Sequence, residues 1–129
     1  MDKNFYITTP IYYPSARPHM GHAYSSIIAD FFSRFKSIDG YKVYFLTGTD
    51  EHGLKIQRSA EKEGLDPLKF CDQISKTFRE LSKTLNLSNT DFIRTTEERH
   101  KKTVQHLWKE LEKNDDIYLS NYSGWYSVS

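Results

Sequence analysis

Cysteine is nearly absent from this chain of 129 residues. The lone thiol, Cys71, cannot build an internal disulfide framework or a multi-cysteine zinc site. It falls on the apolar face of a predicted helix, which makes it packing material rather than a nucleophile. Long hydrophobic runs are missing as well. Residues 1–20 hold no signal-peptide core, and no later run is long enough to cross a bilayer, so no membrane is expected and the cytoplasm is the expected location. Charge of one sign is not in excess: 18 lysines and arginines face 17 acids, a net charge of +1. No global basic field therefore points to nucleic acid, and any such contact needs a local patch or further sequence. There is no Walker phosphate loop, no G-x-G-x-x-G fingerprint, no nucleophile elbow and no internal repeat.

Aromatics are plentiful, with nine tyrosines and eight phenylalanines. They suit a large pocket or interface, but equally a well-filled core. The length allows one core-bearing domain and not two comfortable ones. Phe5–Thr9 reads as a strand of β-branched and aromatic residues, stopped by Pro10. The loop to Pro18 is punctuated by proline yet rich in apolar side chains, so Ile11, Tyr12 and Tyr13 either plug the core or line a pocket. Next come Pro18-His19-Met20-Gly21-His22 and a helix to Ile38 with a wide apolar face: Tyr24, Ile27, Ile28, Phe31, Phe32, Phe35 and Ile38. Two histidines and a glycine thus sit where a strand ends and a helix begins. Free N–H groups there attract an anion, imidazoles add donors or positive charge, and Gly21 lets a ligand approach the backbone. A metal pair or plain surface decoration would carry the same letters.

Asp39-Gly40 stops the helix, and Tyr41–Thr47 reads as a second strand, nearly all apolar and so expected to be buried on both faces. Strand, helix and strand make a βαβ unit with parallel neighbours and a right-handed crossover. The second strand runs into Gly48-Thr49-Asp50-Glu51-His52-Gly53, followed by a helix over 54–62. The two acids could cap that helix and the glycines could make a tight turn. Yet parallel strands bring both histidine-and-glycine loops to one rim of the sheet. Asp66 and Pro67 open a third helix, in which Cys71, Ile74, Phe78, Leu81 and Leu85 form a packing stripe. Asp91–Thr95 is a short third strand, and a fourth helix follows with Val104, Leu107, Trp108 and Leu111 on one face. Apolar residues from Ile117 to Val128 suggest short strands around Ser123-Gly124.

The blocks Phe5–Tyr13, Pro18–Tyr24 and Phe45–Gly53, with Asp91–Thr96 and Gly124–Tyr126, closely resemble the amino-terminal part of the methionyl-tRNA synthetases, a family of the class I aminoacyl-tRNA synthetases. The histidine tetrapeptide marks the class; the Thr-Gly-Thr-Asp-Glu-His-Gly block is particular to the methionine family. The resemblance implies an α/β fold, a Rossmann-like parallel sheet flanked by helices, representing the first half of a class I catalytic domain and incomplete at the C-terminus. It implies that residues 1–114 are catalytic domain and that residues 115–129 open an inserted connective domain. It implies a methionine-tRNA ligase that forms methionyl-adenylate from methionine and ATP and then charges tRNA(Met). His19 and His22 would be catalytic and, with Gly21, would bind ATP, which arrives with Mg2+. Ile11, Tyr13 and Asp50 would hold methionine, the aspartate on its ammonium group. The class's Lys-Met-Ser-Lys-Ser motif is not in this chain, so a fragment with half a site, inactive alone, is expected. Ser127 and Ser129 stand where some relatives begin a zinc site, so no metal ligand and no zinc are expected here. Two alternatives are another class I synthetase or adenylyl-transferring relative, and a non-catalytic module that docks protein or tRNA.

Overall fold

The computed structural model describes residues 3–125 and 127. These form β1 (Asn4–Thr8), α1 (Met20–Ile38), β2 (Lys42–Thr49), α2 (Leu54–Lys62), α3 (Pro67–Thr84), β3 (Asp91–Arg94) and α4 (Glu98–Lys113). The chain divides into two compact units, Met1–Glu97 and Glu98–Ser129. In the first, β1, β2 and β3 pair in that order and in parallel, with Phe5 opposite Val43 and Thr47 opposite Phe92. All three strands therefore deliver their carboxyl ends to one rim, where α/β folds take ligands.

Local chemistry explains the elements. α3 starts where Asp66 accepts from the N–H groups of Leu68 (3.0 Å) and Lys69 (3.3 Å), with Pro67 locked in a helix-compatible φ. Two clusters make the core: Ile56, Ala60, Phe70 and Cys71 between α2 and α3, and Tyr12, Phe78 and Phe92 beneath the rim.

Three expectations about burial and strand content change. α1 meets the sheet through small residues, and its buried positions are Ala23, Ser26, Ala29 and Ser33. Its large apolar stripe is exposed, with Phe31 64% and Ile38 88% accessible. Small side chains let the helix backbone lie close to the strands, and periodicity alone does not say which of two neighbouring stripes packs. β2 is buried over Thr47, Gly48 and Thr49, but Lys42 and Tyr44 are open to solvent, so burial on both faces holds only for its second half. Among the described residues after Asn114 no strand forms. Tyr118, Leu119, Tyr122 and Trp125 are exposed, and an isolated strand lacks the partner its N–H and C=O groups require. Tyr126 and Val128 lie outside the described residues.

In the second unit α4 has no buried residue, and Val104, Leu107 and Trp108 are about half exposed. Among the described residues no helix is long and apolar enough to cross a membrane.

Candidate active site

The aromatic loop after β1 does two jobs by alternation. Thr9 N–H still donates to Leu46 O (3.1 Å), and pairing resumes when Tyr12 N–H donates to Gly48 O (2.9 Å) and Asp50 N–H donates to Tyr12 O (2.9 Å). Side chains along such a stretch point alternately to opposite faces. Tyr12 is buried, stacked on Phe78 at 5.6 Å between ring centres, with its hydroxyl 3.0 Å from Ser26 Oγ. Ile11 and Tyr13 are exposed on either side of it. Tyr12 plugs the core, and its neighbours line the cavity.

That cavity, of about 430 Å³, is bounded by Ile11, Tyr12, Tyr13, Ser15, Ala16, Arg17, His19, His22 and Lys55. Its ionisable walls are basic or phenolic, with no carboxylate among them. The histidines are built into the start of α1 in an unusual way. His19 is the N-cap residue: its Nδ1 accepts from Gly21 N–H (3.0 Å), and His22 Nδ1 accepts from His19 N–H (3.0 Å). This is the reciprocal capping box, with imidazoles replacing the usual hydroxyl and carboxamide. A ring whose Nδ1 accepts must carry its neutral proton on Nε2. The pair therefore offers Nε2–H donors, and the capping bonds would be lost on protonation. Burial first, and then the neighbouring His19, lower the pKa of His22 below 6.5. The sequence left open whether these rings bring donors or positive charge; the geometry selects donors. His22 is wedged by Tyr12 (4.8 Å), Phe78 (5.1 Å) and His19 (3.9 Å), all between ring centres.

Gly21 answers first to the cap. A Cβ there would lie 2.9 Å from His19 Cε1, so any side chain displaces the ring that closes the helix. Gly48 is not in a turn. It lies within β2, where a Cβ would meet the Ile93 carbonyl oxygen at 2.0 Å. Nor do Asp50 and Glu51 cap α2: its N-cap is Gly53, at φ 111°, with no side-chain bond.

Asp50 is half-buried at the end of β2, and among the described residues its carboxylate takes no hydrogen bond or ion pair. Its backbone is tied to Tyr12, between Ile11 and Tyr13, so the candidate methionine residues share one stretch of rim with the histidine corner. Glu51, expected as a possible helix cap, is buried instead. Its carboxylate accepts from Thr49 Oγ1 (2.8 Å), Arg94 Nε (2.7 Å) and the Thr96 hydroxyl. Two of these partners, Arg94 at the end of β3 and Thr96 just beyond it, are remote in sequence. A second cavity of about 540 Å³ opens where this loop meets α2 and the start of α3, lined by Glu51, His52, Gly53, Leu54, Ile56, Gln57, Glu61 and Pro67. Among the described residues no cluster of histidine, cysteine or acidic side chains is arranged to hold a metal ion.

This geometry has close relatives. A methionine–tRNA ligase of Listeria monocytogenes is 54% identical over 99% of the chain, and the mitochondrial one of Takifugu rubripes is 55% identical over 98%. The solved structure of the Mycobacterium tuberculosis methionyl-tRNA synthetase in complex with methionyl-adenylate superposes on 98% of the chain with a TM-score of 0.93 at 48% identity. The chain spans 19%, 22% and 25% of the Listeria, Takifugu and Mycobacterium proteins. The family model described as tRNA synthetases class I (M) matches residues 5–129. A match that takes in the histidine-capped helix, the aspartate loop and β3 alike makes the chain a member of that family, the class I (M) tRNA synthetases.

Proposed function

We propose that the chain carries the strand–helix half of a methionine-tRNA ligase active site. In this reading methionine and ATP react on the rim formed by β1, β2 and the start of α1. Asp50 takes the α-ammonium group of methionine. A desolvated cation needs a formal negative partner, and this carboxylate has none of its own. Ile11 and Tyr13 flank the thioether, where sulfur–aromatic contacts contribute roughly 0.3–1.5 kcal/mol. The phosphates of ATP lie across the basic cavity, with His19 and His22 donating Nε2–H to their oxygens and Gly21 keeping the helix start open. Magnesium arrives with ATP as part of the substrate.

The methionine carboxylate attacks the α-phosphorus, a new P–O bond forms, and the bond to the β-phosphate oxygen breaks to release pyrophosphate. A carboxylate is already a nucleophile, so the step needs no general base. The histidines act where charge accumulates on the phosphate oxygens. In the second step a terminal ribose hydroxyl of tRNA(Met) attacks the activated carbonyl, releases AMP and loses its proton. Residues 1–114 would then belong to the nucleotide-binding catalytic domain and residues 115–129 to the start of a connective domain, acting in the cytoplasm.

The observation that carries this reading is the pairing of two histidines whose Nδ1 atoms are spent on the helix cap with an unpartnered aspartate on adjoining loops of one rim. Methionine-dependent pyrophosphate exchange by the full-length protein tests it. His19→Ala should lower exchange on the order of 100-fold or more, and Asp50→Ala should abolish it at ordinary methionine concentrations. Normal exchange in both variants would refute the enzyme reading.

A further inference from the structure

The proposed reaction leaves Glu51 and Arg94 without a task, yet they form the most heavily bonded polar cluster of the rim. The Glu51 side chain is fully buried, a place where a carboxylate is tolerated only if its oxygens are paired. Arg94, at the last position of β3, reaches it through Nε at 2.7 Å, and its Nη2 makes an ion pair with Asp72 on α3 at 2.6 Å. Thr49 and Thr96 supply the remaining donors to the carboxylate. The backbone follows the same path. Glu51 N–H donates to Thr95 Oγ1 (2.8 Å), and His52 Nε2 lies 3.2 Å from Thr95 O. Between these anchors and the Asp50–Tyr12 bond, the loop has little freedom to slide. The same anchors fix the backbone from which the Asp50 side chain leaves.

We infer that Arg94, acting through Glu51, is a positioning residue for Asp50: it ties the Asp50–Gly53 loop to the end of β3 so that the aspartate holds a fixed place for the ammonium group of the amino acid. This rests on the reading that Asp50 binds methionine. Arg94 touches neither substrate, so its removal should weaken methionine and spare ATP, whose cavity is built from the Tyr12–His22 corner. A merely structural role would weaken both substrates together.

Pyrophosphate exchange by the full-length protein decides between them, with melting curves taken for each variant. Arg94→Gln should raise the KM for methionine on the order of 100-fold, the cost of a misplaced contact, while the KM for ATP stays within about threefold. Arg94→Lys, which keeps the charge but loses the forked contact, should fall between Arg94→Gln and the native protein. An unchanged methionine KM in folded Arg94→Gln, or an equal rise in both KM values, overturns the inference. Should Arg94→Gln fail to fold, Thr96→Val, which removes one donor to Glu51, takes its place and must raise the methionine KM selectively. Asp50→Ala separates the two failures. If it is inactive while the Arg94 variants are normal, only the positioning role falls. If it is normal, the methionine-binding reading falls and this inference with it.

Discussion

Single atoms decide most of the chemistry at this rim. His19 and His22 each spend Nδ1 on a backbone N–H, which leaves Nε2–H as the group they offer. The pH consequence has a definite sign. The folded pKa of His22 is lower than its unfolded value of 6.5, so the unfolded chain takes up a proton that the folded one resists. Stability from this residue is full above pH 6.5 and is lost as the pH falls through that value toward the lower, folded pKa. The midpoint of urea unfolding should therefore drop on acidification in this window, and the drop should shrink in His22→Asn. Cys71 gives a second test. Burial, reinforced by the Glu51 charge, pushes its pKa up to about 11. Iodoacetamide at neutral pH should label it in denaturant and leave it unlabelled in the native protein. Gly48 gives a third: with a Cβ 2.0 Å from a β3 carbonyl, Gly48→Ala should cost at least about 3 kcal/mol, read from the shift in unfolding midpoint.

At the scale of elements, caps and alternation place the loops. The Asp66 cap holds α3, which carries Phe78 to Tyr12 and Asp72 to Arg94. Asp66→Ala should lower stability by ~1 kcal/mol in denaturant melts, with the helix content by circular dichroism nearly unchanged. α3 was legible from its cap and spacing because those signals are local. The seating of α1 was not. Two stripes run along that helix, one small and one large, and the sequence shows only that both repeat at helical spacing. The sheet accepts the small one, because it lets the backbone come close enough to bury Ser26 against Tyr12.

For the molecule as a whole, the parallel order β1-β2-β3 gathers the loops after β1 and β2 and the end of β3 at one rim. The same arrangement leaves Tyr24, Ile27, Phe31, Phe32, Phe35 and Ile38 exposed along α1. Apolar surface of that extent is unusual for a stable soluble monomer. Produced by itself, the 129-residue chain is expected to bind an apolar fluorescent dye such as ANS and to self-associate as its concentration rises, seen by light scattering. Calorimetry on it should detect weak methionine binding or none.

What the letters alone determined was the order of strands and helices as far as α4, the Asp66 cap, the lone buried thiol, and the two histidine-and-glycine loops on one rim. The cap and the element boundaries rest on contacts a few residues apart, and the shared rim follows from the parallel pairing that a strand–helix–strand order imposes. What only the tertiary structure decided was how remote residues complete one another. Glu51 is a buried anchor rather than a cap because Arg94 at the end of β3 and Thr96 just beyond it arrive beside it. Gly48 is a strand residue with no room for a side chain because Ile93 crosses next to it. Tyr12 turns inward because Phe78 offers it a partner. Burial and pairing are properties of segments that meet in space, and a linear pattern does not contain the meeting.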